Sequence, residues 1–230
     1  MKTIGMIAGM SWESSALYYR LINQETKHRL GGHHNARSVM VTVDFAEVEM
    51  MQRSGDWKAL GLLMADTARQ IERAGADFII LCTNTTHKVA ESIESAAQIP
   101  LLHIAEATAF AIRKAQEKRV GLLGTRFTME QTFIRERLER RGIEVLIPDE
   151  PSRQIIHKII YEELVSGVVR PESREQYQKI IGELAQRGAE SVVLGCTEIG
   201  LLTEAGDSPL PLHDTTVIHA IAAVDWALQR

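Results

Sequence analysis

Two apolar runs of strand length organise the hydrophobic pattern of the chain. One is Gly75-Ala76-Asp77-Phe78-Ile79-Ile80-Leu81-Cys82-Thr83-Asn84-Thr85, and the other is Gly188-Ala189-Glu190-Ser191-Val192-Val193-Leu194-Gly195-Cys196-Thr197-Glu198. Each is entered through Gly-Ala-acid and left through small hydroxyl and amide residues, the pattern of a buried parallel strand opening into a loop. Aligned as copies, they set Thr83 on Cys196. Helical patterns precede both, through Leu63, Ala68, Ile71 and Ala74 in one case and Tyr177, Ile181, Leu184 and Arg187 in the other. Thr3-Ile4-Gly5-Met6-Ile7-Ala8-Gly9 also resembles Arg119-Val120-Gly121-Leu122-Leu123-Gly124-Thr125, so the chain reads as two related halves.

The rest of the pattern alternates strand and helix. Strand 2–8 leads through the turn Gly9 to Ser15 into a helix capped by Ser11 or Ser14, with Leu17, Leu21 and Ile22 on its apolar face. Strand 38–43 follows, then a polar turn region from Asp44 to Trp57 holding Gln52 and Arg53, poised to close over a site. Helix 57–74, strand 76–82, helix 88–97 and a short strand Leu101 to Ile104 complete the first half. The second half reads as strand 119–124, helix 128–141, strand 143–147, helix 154–166, a loop from Gly167 to Pro171, helix 173–187, strand 190–195 and the segment Leu210 to Asp214. A last helix, Thr215 to Leu228, carries Val217, Ile221, Val224 and Leu228 on one face. This predicts an α/β fold of two pseudo-symmetric lobes, each a short parallel sheet flanked by helices. The expected division is 1–104 plus 215–230 against 105–214. Ligands of such sheets bind beyond the strand carboxyl ends, so the active site is expected in the cleft between the lobes.

Composition narrows the function classes. A chain of 230 residues has enough apolar sequence for a sizeable core, and its net charge of −4 disfavours a nucleic-acid or membrane-surface partner. No apolar run is long enough to span a bilayer, and the N-terminus enters a strand without a signal segment, so a cytoplasmic location is expected. There the two cysteines are reduced thiols. The glycines of the first turn do not form a dinucleotide fingerprint, because Ile7 stands where the second glycine belongs. The pair His33-His34 lacks a carboxylate or cysteine at ligand spacing and reads as a solvated loop, so no metal is expected.

The chemistry follows from the repeat. Thr83 and Cys196 on opposite sides of a cleft suit a planar intermediate approached from two faces, with proton removal on one and return on the other. Met10 and Ser11 in the first turn, Gln52 in the turn region, and Asn84, Thr85, Thr86, Thr125, Thr128, Thr197 and Glu198 are the candidate substrate-binding residues, able with turn amides to hold a carboxylate. A cysteine beside a helix start or a cation becomes a usable base at neutral pH. A threonine hydroxyl is a poor base, but it can donate or relay a proton.

These residues resemble a known family. Leu81-Cys82-Thr83-Asn84-Thr85-Thr86-His87 is similar to the Cys-Asn-Thr motif of the aspartate/glutamate racemases, and Leu194-Gly195-Cys196-Thr197-Glu198-Ile199 to their Gly-Cys-Thr-Glu motif. Similarity extends through Gly9-Met10-Ser11, Gly121-Leu122-Leu123-Gly124-Thr125 and Asp214-Thr215-Thr216-Val217-Ile218-His219. The resemblance implies a cofactor-independent amino-acid racemase, usually a homodimer, with two cysteines as opposed acid and base and aspartate or glutamate as substrate. It also implies that the C-terminal helix packs on the first lobe, and that Arg170 takes the place of a substrate-binding lysine. The chain departs from the family where Thr83 replaces the first cysteine and Cys82 is displaced by one residue, a position that alternation along the strand turns away from the cleft. The departure leaves open a broader-specificity racemase, an arylmalonate-decarboxylase-like enzyme, a hydantoin racemase, a maleate isomerase, or an amino-acid-binding protein without catalysis. An aromatic content of 5% disfavours a bulky aryl pocket.

Overall fold

The computed structural model describes residues 1–203, 206 and 208–229. The chain divides into two compact units, one of Met1–Ile104 with the segment from His219 onward, the other of Ala105–Ile218. Among the described residues no helix is long and apolar enough to cross a membrane.

The first unit is built on β1 (Ile4–Ala8), β2 (Ser38–Thr42), β3 (Phe78–Leu81) and β4 (Leu101–Leu102), parallel and in the order β2-β1-β3-β4. The second repeats that order with β5 (Arg119–Gly124), β6 (Glu144–Leu146), β7 (Ser191–Gly195) and β8 (Leu212–Asp214), arranged β6-β5-β7-β8. The registers match as well: Ile4 lies opposite Phe78 as Val120 lies opposite Ser191, and Ile7 opposite Leu81 as Leu123 lies opposite Leu194. Carried past the strand ends, this register makes Thr83 the counterpart of Cys196, the alignment read from sequence.

Strand alternation sorts the core. Ile79 and Leu81 pack with Leu60, Met64, Ala68 and Ile71 of α3 (Trp57–Arg73), on one face of the first sheet. Phe78, Ile80 and Cys82 face the other way, against Tyr18 and Ile22 of α1 (Trp12–Leu30) and Ala220, Ala223, Val224 and Ala227 of α11 (Thr215–Leu228). In the second unit Val192, Leu194 and Cys196 pack with Ile156 and Ile160 of α8 (Glu150–Glu162) and Tyr177, Ile181 and Leu184 of α9 (Pro171–Gln186).

Several elements differ from the sequence reading. The polar stretch after β2 is a helix, α2 (Phe45–Ser54), not a turn region. Asp44 caps it by accepting from the Ala46 N–H at 3.0 Å, Val48 anchors it in the core, and Gly55 ends it in the left-handed conformation at φ 75°. The region around 88–97 splits into a single 3₁₀ turn, Thr85–Val89, and α4 (Ala90–Ala96). The helix expected at 128–141 breaks at Gln131 into α6 (Arg126–Glu130) and α7 (Thr132–Glu139). Two helices were not expected, α5 (Ile104–Lys114) and α10 (Ile199–Leu202). The buried stripe of α1 centres on Tyr18 and Ile22, with Leu17 and Leu21 at its margin. That of α11 runs through Ala220, Ala223, Val224 and Ala227, and Ile221 faces outward.

Candidate active site

In the first unit the candidate residues collect beyond the carboxyl ends of β1 and β3. The β1–α1 turn is tied together by hydroxyls. The Ser15 hydroxyl accepts from the Gly9 N–H at 2.8 Å, and Ser11 caps α1 by accepting from the Ser14 N–H at 3.3 Å. The Ser14 hydroxyl donates at 3.1 Å to the carbonyl of Cys82, which fixes this turn to the end of β3. Cys82 itself is fully buried, and burial pushes its thiol far above the ordinary range. Its neighbour Thr83 is partly exposed. Asn84, Thr85 and Thr86 are buried beside it. Thr86 accepts from the Gln52 amide at 3.2 Å and donates to the Met10 sulfur at 3.5 Å, so Met10, Gln52 and Thr86 form one contact group. Arg53, next to Gln52, instead lies in solvent and pairs with Glu49 at 3.5 Å.

The second unit gathers Thr125, Thr128, Cys196, Thr197 and Glu198 beyond β5 and β7. The Thr125 hydroxyl accepts from the Thr128 N–H at 3.3 Å as the cap of α6 and lies 3.2 Å from the Thr128 hydroxyl. Glycine at 124 and 195 lets Thr128 lie against the strand ends. A Cβ at Gly195 would stand 2.8 Å from the Leu123 carbonyl and 2.9 Å from the Thr128 methyl. Cys196 is buried, with 9% of the residue exposed against 0% for Cys82. Its S–H donates to Glu198 Oε2 at 3.0 Å, and the Thr197 hydroxyl donates to the same oxygen at 2.5 Å. Asp214, at the end of β8, accepts from the Thr216 and Val217 N–H groups and stands near enough to bear on the thiol.

The electrostatics of Cys196 differ from the sequence expectation of a thiol activated by a helix start or a cation. Burial first, then the negative charge of Glu198 and its side-chain hydrogen bond, hold the thiol well above its ordinary value; the Glu198 N–H offsets part of this and Asp214 adds to it. Burial likewise pushes the Asp214 carboxyl up and Tyr177, packed in the same cluster, well above the phenol range. The resting state of Cys196 is therefore a thiol poised on a carboxylate acceptor.

Arg170 does not join either group. It precedes α9 on the surface, its side chain 60% exposed and 4.0 Å from Glu163. Glu163 also accepts from Ser173 at 2.6 Å. His33 and His34 lie exposed in the α1–β2 loop.

The sequence reading left out three buried histidines of the first unit. The His87 ring lies 4.4 Å from that of His103 and 5.9 Å from that of His219, measured between centroids. His219 lies 2.9 Å from both the Tyr18 hydroxyl and the Leu102 carbonyl, and burial lowers its pKa to about 4. Two of them stand inside quoted motifs, but a histidine read in sequence gives no sign of whether it will be enclosed.

Comparison with known proteins agrees with this architecture. The family model described as Asp/Glu/Hydantoin racemase matches residues 7–223. The broad specificity amino-acid racemase RacX of Bacillus subtilis is 28% identical over 167 residues, covering 71% of this chain and 70% of that protein. A crystal structure from Yersinia pestis, described as a candidate Asp/Glu racemase, is 50% identical with a TM-score of 0.95, and each chain is covered in full. The aspartate racemase homologue of Pyrococcus horikoshii OT3 is 30% identical with a TM-score of 0.86, again over the whole of both chains. With the duplicated four-stranded sheets and paired strand exits described above, the match shows that the chain belongs to the Asp/Glu/Hydantoin racemase family, as an isomerase of the amino-acid racemase type.

Proposed function

We propose that the protein racemises an acidic amino acid, aspartate or glutamate, without a cofactor, with Cys196 exchanging the α-proton on one face and Thr83 on the other. The observation that carries this reading is the shared register of β3 and β7, which makes Thr83 and Cys196 equivalent residues at the exits of equivalent strands. The remaining candidate residues bind around them. Substrate binding is assigned to Met10, Ser11, Gln52, Asn84, Thr85 and Thr86 of the first unit and to Thr125, Thr128, Thr197 and Glu198 of the second. Arg170, which the resemblance sets in the place of a substrate-binding lysine, would have to leave Glu163 to reach a substrate carboxylate.

In the proposed cycle the Cys196 thiol first passes its proton to Glu198, its hydrogen-bond acceptor at 3.0 Å. The thiolate then takes the α-proton, and the C–H electron pair moves into the substrate carboxylate, giving an enolate-like species stabilised by surrounding hydroxyl and amide donors. A proton delivered from the Thr83 side completes inversion; the relay there is refilled from solvent while Glu198 gives its extra proton back to solvent, which restores the resting state. Because the threonine hydroxyl is nearly as weak an acid as water, this half of the reaction runs through a relayed proton and is the slower one.

The enantiomer deprotonated by Cys196 is therefore expected to have the larger kcat. Free enantiomers are equal in energy, so a compensating difference in KM keeps the ratio of the two kcat/KM values at unity. Equal turnover numbers in the two directions would remove the asymmetric assignment.

The first test is proton NMR in D₂O with the L- and D-forms of aspartate and glutamate, following loss of the α-proton signal. Exchange supports the reading. Its absence from all four, with exchange in a wider amino-acid panel, would favour a broad-specificity racemase, a second reading motivated by the solvent-exposed, Glu163-paired state of Arg170 and by the name of the B. subtilis relative. Absence from every amino acid would exclude racemisation.

Glu198→Gln gives an independent check on the thiol. Removing the carboxylate removes a charge that disfavours thiolate, so the pH midpoint for alkylation of Cys196 by iodoacetamide should move down. A midpoint that stays or rises would mean that Glu198 does not control the proton on sulfur. Cys82, fully buried, does not confuse the reading.

A further inference from the structure

β3 ends at Leu81, and the chain then bends sharply. The Thr83 N–H turns back onto the Leu81 carbonyl at 2.8 Å, and the His87 N–H bonds the Asn84 carbonyl at 3.1 Å. Thr83 thus sits in a bend between a strand and a single 3₁₀ turn, outside any ladder, where its part-buried carbonyl takes a partner of its own. His87 supplies it, with Nδ1 2.7 Å from the Thr83 carbonyl oxygen. The other ring nitrogen, Nε2, lies 3.2 Å from the Ile104 N–H, at the first residue of α5.

Those two partners define the ring's chemistry. A carbonyl can only accept and a backbone N–H can only donate, so Nδ1 carries the proton and Nε2 offers its lone pair. The imidazole is neutral and held in one tautomer. At 2% exposure and packed against the His103 ring, it has little room to turn. It therefore works as a rigid spacer between the Thr83 carbonyl and the start of α5.

We infer that His87 is a positioning residue that fixes the Thr83 hydroxyl for its half of the proton transfer, an inference that rests on the racemase reading of Thr83 given above. Threonine is β-branched and has few side-chain rotamers, so anchoring its backbone confines Oγ1 to a few positions. A weak acid such as a hydroxyl depends on placement more than a thiol does, and the thiol face of the reaction does not pass through this anchor.

A purely structural role is the competing account, because Nε2 also satisfies an N-terminal N–H of α5. The two roles use different nitrogens and can be separated. Asparagine at 87 sets its amide nitrogen near the place of Nδ1, and glutamine sets its amide near that of Nε2. His87→Asn thus keeps the bond to Thr83 and loses the helix cap, whereas His87→Gln does the reverse.

The experiment measures, for wild type and both variants, α-proton exchange in D₂O from the enantiomer that Cys196 deprotonates, inversion by chiral chromatography, and the melting temperature. His87→Gln is expected to lose about 10- to 100-fold in inversion, the scale of a small misplacement of a reacting group, while exchange stays near wild type. His87→Asn is expected to keep inversion and to melt lower than His87→Gln. Parallel loss of exchange and inversion in both variants would overturn the inference, as would wild-type inversion in His87→Gln. Should His87→Gln not fold, loss of inversion with exchange retained in His87→Asn overturns it equally. Failure of the racemase reading itself is seen separately, as absence of exchange in the wild-type enzyme, and takes the inference with it.

Discussion

Cys196→Ala is expected to lower both α-proton exchange and racemisation by about 10²- to 10⁴-fold, the usual contribution of a positioned acid–base group. The expectation comes from position. Cys196 directly follows a fully buried strand, and its proton already points at Glu198. Cys82→Ala is the matched control. Its thiol lies wholly within the cluster formed by Tyr18, Phe78, Ile80 and the alanines of α11, so its loss should cost stability by opening a small cavity and leave exchange in place. The pair of variants, assayed by NMR in D₂O and by thermal unfolding, separates the roles. Retained exchange in Cys196→Ala would remove it from the chemistry. Loss of exchange in a folded Cys82→Ala would mean that the displaced cysteine takes part after all.

Acid should weaken the fold through His219. Its pKa falls from the ordinary 6.5 to about 4 because the ring is buried, with a bond to the Leu102 carbonyl offsetting only part of that cost. Since a carbonyl only accepts, Nε2 donates to Leu102 and Nδ1 accepts from the Tyr18 hydroxyl, a neutral arrangement on both sides. Between pH 6.5 and pH 4 the unfolded chain binds a proton that the folded chain refuses, so stability declines as pH falls through that window and the contribution levels off below it. The whole effect is on the order of 3 kcal/mol, from 1.36 kcal/mol per unit of difference. Urea midpoints measured across this range should therefore drop steeply in wild type and more gently in His219→Gln. An unchanged slope in the variant would assign the acid sensitivity to other groups.

How much of this was legible beforehand varies with the kind of feature. The β3 and β7 strands declare themselves as unbroken apolar runs between glycine and small polar residues, and their alignment is reproduced by the ladder register. Helix α2 was hidden because it is short and half polar, and its identity rests on Asp44, Gly55 and the core contacts of Val48, Phe45 and Met51. Helix α11 was placed correctly, and Val224 and Leu228 of its expected face do meet the core, but Ile221 does not. It is apolar nearly all round, so periodicity does not distinguish its sides. The sheet selects the side whose alanines allow close approach, leaving Ile221 outside.

The sequence by itself determined the duplicated α/β pattern, the paired strand exits and the equivalence of Thr83 with Cys196, because apolar period and internal repetition are properties of the linear order. Only the tertiary structure decided which groups share an environment. It brought Gln52 to Thr86 and Met10 from separate elements, set Arg170 in solvent beside Glu163, and enclosed His87, His103 and His219 in one core. It also reversed the expected state of Cys196, for a thiol's acidity depends on burial and on the charges around it. Here those are Glu198, two residues away, and Asp214, brought near by the pairing of β7 with β8.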